Sequence, residues 1–155
     1  MPETVHVDDA IPLPELLLSE HARLDVMAYI NERRMVTSEV LIDTPDYRFV
    51  SVEVDVAPRR RVPREALQGR IERALYHFIN PVHGGPENNG WPWDRNLFQS
   101  EVTALIHNIE GVEYIEAVRL FVTDTVTGTR TPAEGSVTCP PNGLLVSFNH
   151  VVNVK

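Results

Sequence analysis

The sequence has little cysteine, which excludes a disulfide framework. Cys139 is the only cysteine among the 155 residues, and a lone thiol is more typical of a reducing compartment than of a secreted fold. We therefore expect synthesis and assembly in the cytoplasm. A metal is not needed for stability either, because a chain of this length can bury roughly 70% of the surface that it exposes when unfolded.

Positive charge and long apolar runs are also scarce. The chain has 14 Lys and Arg against 22 Asp and Glu, a formal net charge of −8 at pH 7. Nucleic-acid-binding proteins neutralise phosphates with many basic side chains, so we expect no nucleic-acid partner. The early apolar cluster at residues 11–18 contains Pro12, Pro14 and Glu15. It is too short to span a bilayer and follows acidic residues, which predicts no direct insertion into a membrane.

The N-terminal region predicts an arm followed by one domain. Prolines among acidic residues disfavour continuous secondary structure, so we expect residues 1–22 to form an arm or linker that is ordered only against a partner. Residues 23–155 should form the domain. Its first elements should be a helix at about residues 24–35 and a short strand at Val-Leu-Ile, residues 40–42. The expected apolar face of that helix consists of Leu24, Met27, Ala28 and Ile30.

The clearest strand and helix come next. Alternation of Val50, Val52, Val54 and Val56 with Ser51, Glu53 and Asp55 predicts a strand with one apolar face and one face that is wet or partnered. Apolar residues then recur at spacings of three and four, which predicts a helix from Pro63 to about Asn80. These residues are Leu67, Ile71, Ala74, Leu75 and Phe78.

The remaining chain predicts a second helix and further strands. Ser100 is the expected N-cap of the helix, and Gly111 lies just past its end. Residues 112–122 predict a long strand, residues 127–141 turns, and residues 144–154 a last strand. The expected fold is α+β with two layers, a mainly antiparallel sheet and two main helices packed on one face, plus the extended N-terminal arm.

A loop motif between the two helices resembles a known family. Residues 77–85 read His-Phe-Ile-Asn-Pro-Val-His-Gly-Gly, and residues 90–95 read Gly-Trp-Pro-Trp-Asp-Arg. This pattern is similar to the baseplate J-like family, in which a helix ends in a proline-glycine loop and a Gly-Trp-Pro-aromatic-x-Arg stretch leads to another helix. Flanking features occur in the same order: Arg33-Arg34, the turn at residues 44–47, the valine strand and the Gly-Val-x-Tyr-Ile stretch at 111–115. The resemblance covers roughly residues 24–125, about two thirds of the chain.

The resemblance implies a structural role without a cofactor. Members of this family are wedge subunits of contractile phage tails, type VI secretion machines and phage tail-like injection particles, where they link hub and spike to the sheath and outer baseplate. The implied partners are other wedge subunits, either copies or paralogues, together with hub, spike and sheath-proximal proteins. Family members are usually several times longer, so this chain resembles only their C-terminal region. Asp94 stands where many members have glycine.

Two sets of residues are candidates for assembly. Arginine forks suit contacts to carboxylates, and tryptophan is enriched among residues that dominate binding energy, so we assign a partner interface to one set. The interface candidates are Arg59, Arg60, Arg61, Arg64, Trp93, Asp94 and Arg95. The structural loop consists of Pro81, Gly84, Gly85, Gly90, Trp91 and Pro92, with Trp91 expected to be buried between the two helices.

Two rival functions stay open on the sequence. His77, His83, Asp94 and His107 could converge on a metal, because imidazole and carboxylate are ordinary zinc ligands, and a small metal-dependent hydrolase would follow. Their spacing matches no tight ligand pair, and no nucleophile motif surrounds the serines or Cys139, so the sequence predicts a chain that is not an enzyme. The second rival is a stand-alone ligand-binding α+β domain.

Overall fold

The fold comes from a computed structural model that describes residue 11 and residues 13–155. It contains two compact units: residues 11–45, here called the N-terminal segment, and residues 46–155, here called the C-terminal domain. Most of the expected arm, residues 1–10 and residue 12, lies outside the described residues. The expected boundary after residue 22 falls inside a helix.

The N-terminal segment contains two helices and no strand among its described residues. They are α1 (Leu13–Leu16), which the sequence did not predict, and α2 (Glu20–Asn31). The Ser19 side chain caps α2 by accepting a hydrogen bond from the N–H of Ala22 at 3.2 Å. Residue Glu20 therefore begins the helix four residues earlier than predicted. The strand predicted at residues 40–42 is wrong, because no neighbouring strand pairs with them.

The C-terminal domain begins with a long strand and continues through two helices and six more strands. In chain order these elements are β1 (Asp46–Pro58), α3 (Arg64–Phe78), β2 (Leu97–Phe98), α4 (Gln99–His107), β3 (Val112–Thr123), β4 (Arg130–Ala133), β5 (Ser136–Val137), β6 (Gly143–Ser147) and β7 (Val151–Val154).

The main sheet is mixed and mainly antiparallel. The strand order is β4-β3-β1-β6. β7 also pairs with β1, further along that strand than β6 does. The longest ladder joins β1 and β3 in antiparallel register, whereas β6 and β7 run parallel to β1. A separate small sheet joins β2 and β5. The predicted α+β class is confirmed, but the single last strand predicted at 144–154 is two strands, and the turn-rich stretch at 127–141 contains β4 and β5.

The core lies between one face of this sheet and the two long helices. Val50, Val52, Val54 and Val56 are all fully buried. Helix α3 packs over β1 and β7, and α4 packs over β3. The buried helical residues are Leu67, Ile71, Leu75, Val102 and Ile106. No helix in the described part of the chain is long and apolar enough to cross a membrane.

The start of α4 differs from the prediction. The N-cap is Phe98, not Ser100, because the strand β2 carries the chain directly into the helix. The Glu101 carboxylate accepts a hydrogen bond from the N–H of Phe98 at 3.1 Å, which satisfies a donor that the helix start leaves free. Ser100 therefore lies inside the first helical turn.

The second face of β1 is not simply solvated. Ser51 is buried and its hydroxyl lies 2.7 Å from that of Thr123. Asp55 is 7% exposed and accepts hydrogen bonds from Asn153 at 2.8 Å and from Arg119 at 3.3 Å. These bonds lower the pKa of Asp55, the one from Asn153 contributing most. Polar groups of the chain itself thus partner this part of the face.

Candidate interaction surfaces

The loop between α3 and β2, residues 79–96, is organised by Asn80. Its side-chain oxygen accepts hydrogen bonds from the N–H groups of Val82 and His83 at 2.8 and 2.9 Å. Its backbone carbonyl accepts from the N–H groups of Gly84 and Trp91, each at 3.0 Å. Both ends of the loop are therefore held at one residue. The sequence predicted Asn80 only as a helix end, although an Asn followed by Pro is a local signal for this type of turn. The bond with Trp91, 11 residues further on, leaves no such signal.

All three predicted loop glycines are required by sterics. Gly85 has a φ of +79°, and a Cβ atom there would lie 2.6 Å from the carbonyl oxygen of Gly90. A Cβ atom on Gly84 would lie 2.2 Å from the carbonyl oxygen of His77. Gly90 has a φ of +104°, and a Cβ there would lie 2.5 Å from the Pro81 oxygen. Backbone atoms cannot move aside as a flexible side chain can, so larger residues at these positions would distort the loop.

Trp91 anchors the loop to the core. Its side chain is 2% exposed and meets the ring of Phe78 edge-on, with ring centroids 5.5 Å apart. The indole N–H donates to the carbonyl of Arg95 at 3.1 Å, and the guanidinium of Arg95 lies 5.0 Å from the indole. The predicted burial of Trp91 is confirmed. A buried indole with its N–H satisfied is a packing residue.

Trp93 differs from Trp91 by being 60% exposed. It borders a cleft of about 590 Å³, here called the Trp93 cleft, which also includes Pro81, Pro86, Glu87 and Pro92. An exposed indole among prolines offers a large, rigid contact area. This is the most prominent aromatic surface of the loop.

The two residues after Trp93 are used within the chain. Asp94 donates its N–H to the carbonyl of Gly143, and its carboxylate accepts from the N–H of Gly143, both at 3.3 Å. The guanidinium of Arg95 forms an ion pair with Glu101 at the start of α4. Of the interface candidates in this loop, Trp93 is therefore the one left most available to a partner.

The arginine run also divides into structural and available residues. Arg59 donates its backbone N–H to Gly111 at 2.8 Å and its side-chain Nε–H to Val112 at 3.1 Å, which ties the end of β1 to the start of β3. Arg60, Arg61 and Arg64 are exposed. Among the described residues these three form no ion pair. They constitute a basic patch, here called the arginine corner.

The Trp93 cleft and the arginine corner are separate surfaces. Arg64 begins α3, and the loop with Trp93 follows its C-terminal end. A helix of 15 residues is about 22 Å long. One small ligand could not contact both, whereas a partner protein could.

The histidines do not form the predicted alternative metal site. His77, His83, Asp94 and His107 lie in three different elements or loops, and the carboxylate of Asp94 is already bonded to Gly143. In the described part of the chain, no three His, Cys, Asp or Glu side chains are grouped so that they could hold a metal. The geometry therefore gives the hydrolase alternative no ligand set.

A serine–histidine pair that the sequence did not indicate is structural as well. His150 Nε2 lies 3.0 Å from Ser147 Oγ, and His150 Nδ1 accepts the N–H of Val52 at 3.0 Å. Because Nδ1 is the acceptor, Nε2 carries the hydrogen and donates to the serine, the reverse of what a general base needs. Burial first, and then the charge of Arg130, lowers the pKa of His150 to about 3.

His150 fills an interruption in the sheet. β6 ends at Ser147 and β7 begins at Val151, and β1 residues opposite this gap lack a strand partner there. The imidazole supplies the acceptor that a neighbouring carbonyl would otherwise provide for Val52.

No protein-family model and no curated protein matches the sequence. Function must therefore be argued from the loop, the Trp93 cleft and the arginine corner. These features offer a rigid aromatic surface and a basic patch but no assembled catalytic group among the described residues. Such surfaces suit contacts with other macromolecules.

Proposed function

We propose that the chain is a structural component of the baseplate wedge of a contractile injection system or phage tail-like particle. It acts by assembly, linking hub and spike to the sheath and outer baseplate through contacts with other wedge subunits. The proposal rests on the resemblance of the loop motif to the baseplate J-like family. One structural observation gives it further support.

That observation is the conformation of Asp94. Many family members have glycine at the corresponding position, and Asp94 has a φ of +55°, the left-handed conformation that glycine adopts readily. Aspartate is among the few other residues that tolerate this conformation, because its short side chain can form local hydrogen bonds. The Asp94 side chain accepts a long-range hydrogen bond instead, from the N–H of Gly143 at 3.3 Å, which fixes the residue in this conformation. The one departure from the motif therefore preserves the backbone geometry that a glycine would permit.

The distribution of exposure also favours assembly. The motif places one tryptophan in the core and leaves the next, Trp93, 60% exposed. Exposed tryptophans and arginines are the residue types most enriched where partners bind. In an acidic protein, the arginine corner would attract an acidic surface of a partner and fix the orientation in which that partner binds. Assembly therefore explains both the interface candidates and the structural loop, and no chemical reaction is needed to explain them.

Electron microscopy of particles from cells that express the chain with its neighbouring genes tests this proposal. We expect the chain in the baseplate, and we expect Trp93→Ala to give a soluble, cooperatively unfolding protein that no longer joins the particle. Tyr114→Ala, at another exposed aromatic residue (54%), is the matched control and should assemble. Particles that lack the wild-type chain would contradict the proposal.

Arginine variants probe the second surface. Arg60→Ser combined with Arg61→Asn removes two exposed charges, and asparagine suits the φ of +69° at position 61. Arg59 is left in place because it bonds to Val112. We expect an intact fold but weaker capture of wedge partners, with a smaller dependence on salt. Arg73→Ser removes one exposed charge from α3, outside the arginine corner, and is the control. An equal loss of capture per charge removed would indicate an effect of net charge alone.

A further inference from the structure

The strand β7 presents an open sheet edge. It pairs with β1 on one side, and among the described residues no strand lies on its other side. The N–H of Lys155 donates to the carbonyl of Val56 at 3.0 Å. Backbone groups alternate in direction along a strand, so those of Val152 and Val154 face away from β1. Such an edge can accept another strand.

The edges formed by β6 and β4 are protected. Along β6, the N–H of Ser147 donates to Ile79, and the carbonyl of Gly143 accepts from Asp94, so the loop after α3 covers this edge. β4 contains Pro132, which has no N–H to offer to a further strand. β7 reads Val-Val-Asn-Val and has neither a proline nor a charged residue. Of the β4, β6 and β7 edges, that of β7 is therefore the best suited to strand addition.

A second segment of the chain has the complementary property. Residues 39–42, Glu-Val-Leu-Ile, consist mostly of residues that favour strands, yet they form none. Among the described residues their backbone groups make no hydrogen bond, and Leu41 is 85% exposed. The segment thus offers the donors, acceptors and apolar side chains that an added strand requires.

This segment cannot reach β7 of its own chain. Three residues separate Ile42 from Asp46, the first residue of β1, and the four steps between their Cα atoms span at most about 14 Å. β7 pairs with β1 only from Glu53 onward, which is about 23 Å further along the strand from Asp46 at about 3.3 Å per residue. The outer edge of β7 is also two strand spacings to the side. A donor of this sequence must come from another molecule.

We propose that residues 39–42 of a second copy of this chain add as a strand to the outer edge of β7. Glu39 and Asp43 are acidic residues in and next to the donor segment. Lys155, which also pairs with Glu116 and Asp55, places one opposite charge just after the C-terminal end of β7. The inference deepens the proposed function by naming one partner, a second copy. It is tested on the purified chain alone, so its failure can be distinguished from failure of the baseplate assignment.

Disulfide trapping tests the contact directly. In a Cys139→Ser background, one batch carries Leu41→Cys and a tagged second batch carries Val151→Cys or Asn153→Cys, so that a linked heterodimer can form only between chains. Cysteines link when their Cα atoms lie about 4.4–6.8 Å apart. We expect the yield of linked heterodimer to be several-fold higher than in a control in which the tagged batch carries Thr131→Cys, on the β4 edge. No excess over that control overturns the proposal.

Association measurements provide the second test. By analytical ultracentrifugation, wild-type protein should self-associate, and Leu41→Pro should raise the dimer dissociation constant at least about tenfold, or about 1.4 kcal/mol. Val36→Pro, at a fully exposed neighbour, should associate like the wild type. A monomeric wild type, or a Leu41→Pro variant that associates as tightly as the wild type, overturns the inference. Self-association without entry into particles would refute only the baseplate role.

Discussion

The C-terminal domain and the N-terminal segment are built from similar residues but differ in burial. The domain buries a continuous apolar cluster between its sheet and two helices. Helix α2 of the segment contains no buried residue. The exposed large apolar residues of the segment are Leu17, Leu18, Leu24, Val26, Tyr29, Met35, Val36 and Leu41. Apolar content alone therefore does not create a core; a second element with a matching face is needed.

The strands show the same difference at smaller scale. β1 has the clean alternation of four valines and is paired on both sides, by β3 on one and by β6 and β7 on the other. Residues 40–42 have comparable strand-forming side chains, but no strand pairs with them in the part of the chain that the structure describes. Strand propensity measures how well a side chain fits a sheet that already exists. Perturbing matched residues in the two regions can test this comparison.

The largest expected effect is on Trp91. Trp91→Ala removes an indole that is 2% exposed, and truncating a buried tryptophan typically costs about 3–5 kcal/mol, enough to unfold or nearly unfold a domain of this size. Leu24→Ala in α2, where the side chain is 56% exposed, should change the free energy of unfolding by less than about 0.5 kcal/mol. Denaturant titration measures both. Similar losses would show that the segment shares the core of the domain.

The next effect concerns pH and His150. Its pKa is lowered from 6.5 to about 3 in the folded chain, so the unfolded chain binds a proton more readily. The stability that depends on neutral His150 is therefore complete above pH 6.5 and is lost progressively as pH falls towards 3. At about 1.36 kcal/mol per unit, roughly 3 kcal/mol is lost by pH 4.

Comparing variants separates the effect of His150 on stability in acid from the effect of the carboxylates. The lowered pKa of Asp55 and that of Asp124 also reduce stability in acid. We therefore expect His150→Asn, whose side-chain oxygen can still accept from Val52, to show a flatter loss between pH 6.5 and 4. His21→Asn, with a side chain that is 89% exposed, should follow the wild type. Parallel curves for all three proteins would refute the assignment.

The smallest of the three effects is the difference in stability between alanine substitutions at two glycines. A methyl group at Gly84 would overlap backbone oxygens, whereas nothing lies within 4 Å of one at Gly69 in α3. We expect Gly84→Ala to cost at least about 2 kcal/mol. Gly69→Ala should stabilise the helix by up to about 1 kcal/mol. Thermal unfolding of both variants provides the measurement, and equal stability would show that the loop relaxes around the methyl group.

The parts of the fold with strong local periodicity were predictable. The valine alternation identified β1, the three-and-four spacing identified α3, and the Asn-Gly turn followed by Trp-Pro indicated a buried Trp91. The candidate surfaces were predicted less completely. Arg59 and Arg95 belong to the same runs as the exposed Arg60 and Trp93. The side-chain partner of Arg59 is Val112, 53 residues away, whereas Arg95 pairs with Glu101, only six residues along the chain. Sequence alone does not show which arginine of a run is already occupied.

The sequence by itself determined the α+β class and the buried faces of β1, α3 and α4, because these depend on spacing between near neighbours. The predicted apolar face of α2 is not buried. Only the tertiary structure decided that the last predicted strand divides into β6 and β7, parallel to β1. The interruption depends on the bond between Val52 and His150, 98 residues apart. Within the described part of the chain, the tertiary structure also decided that residues 40–42 stay unpaired and that β7 keeps an open edge. A strand needs a partner, and partners far apart in sequence leave no local signal.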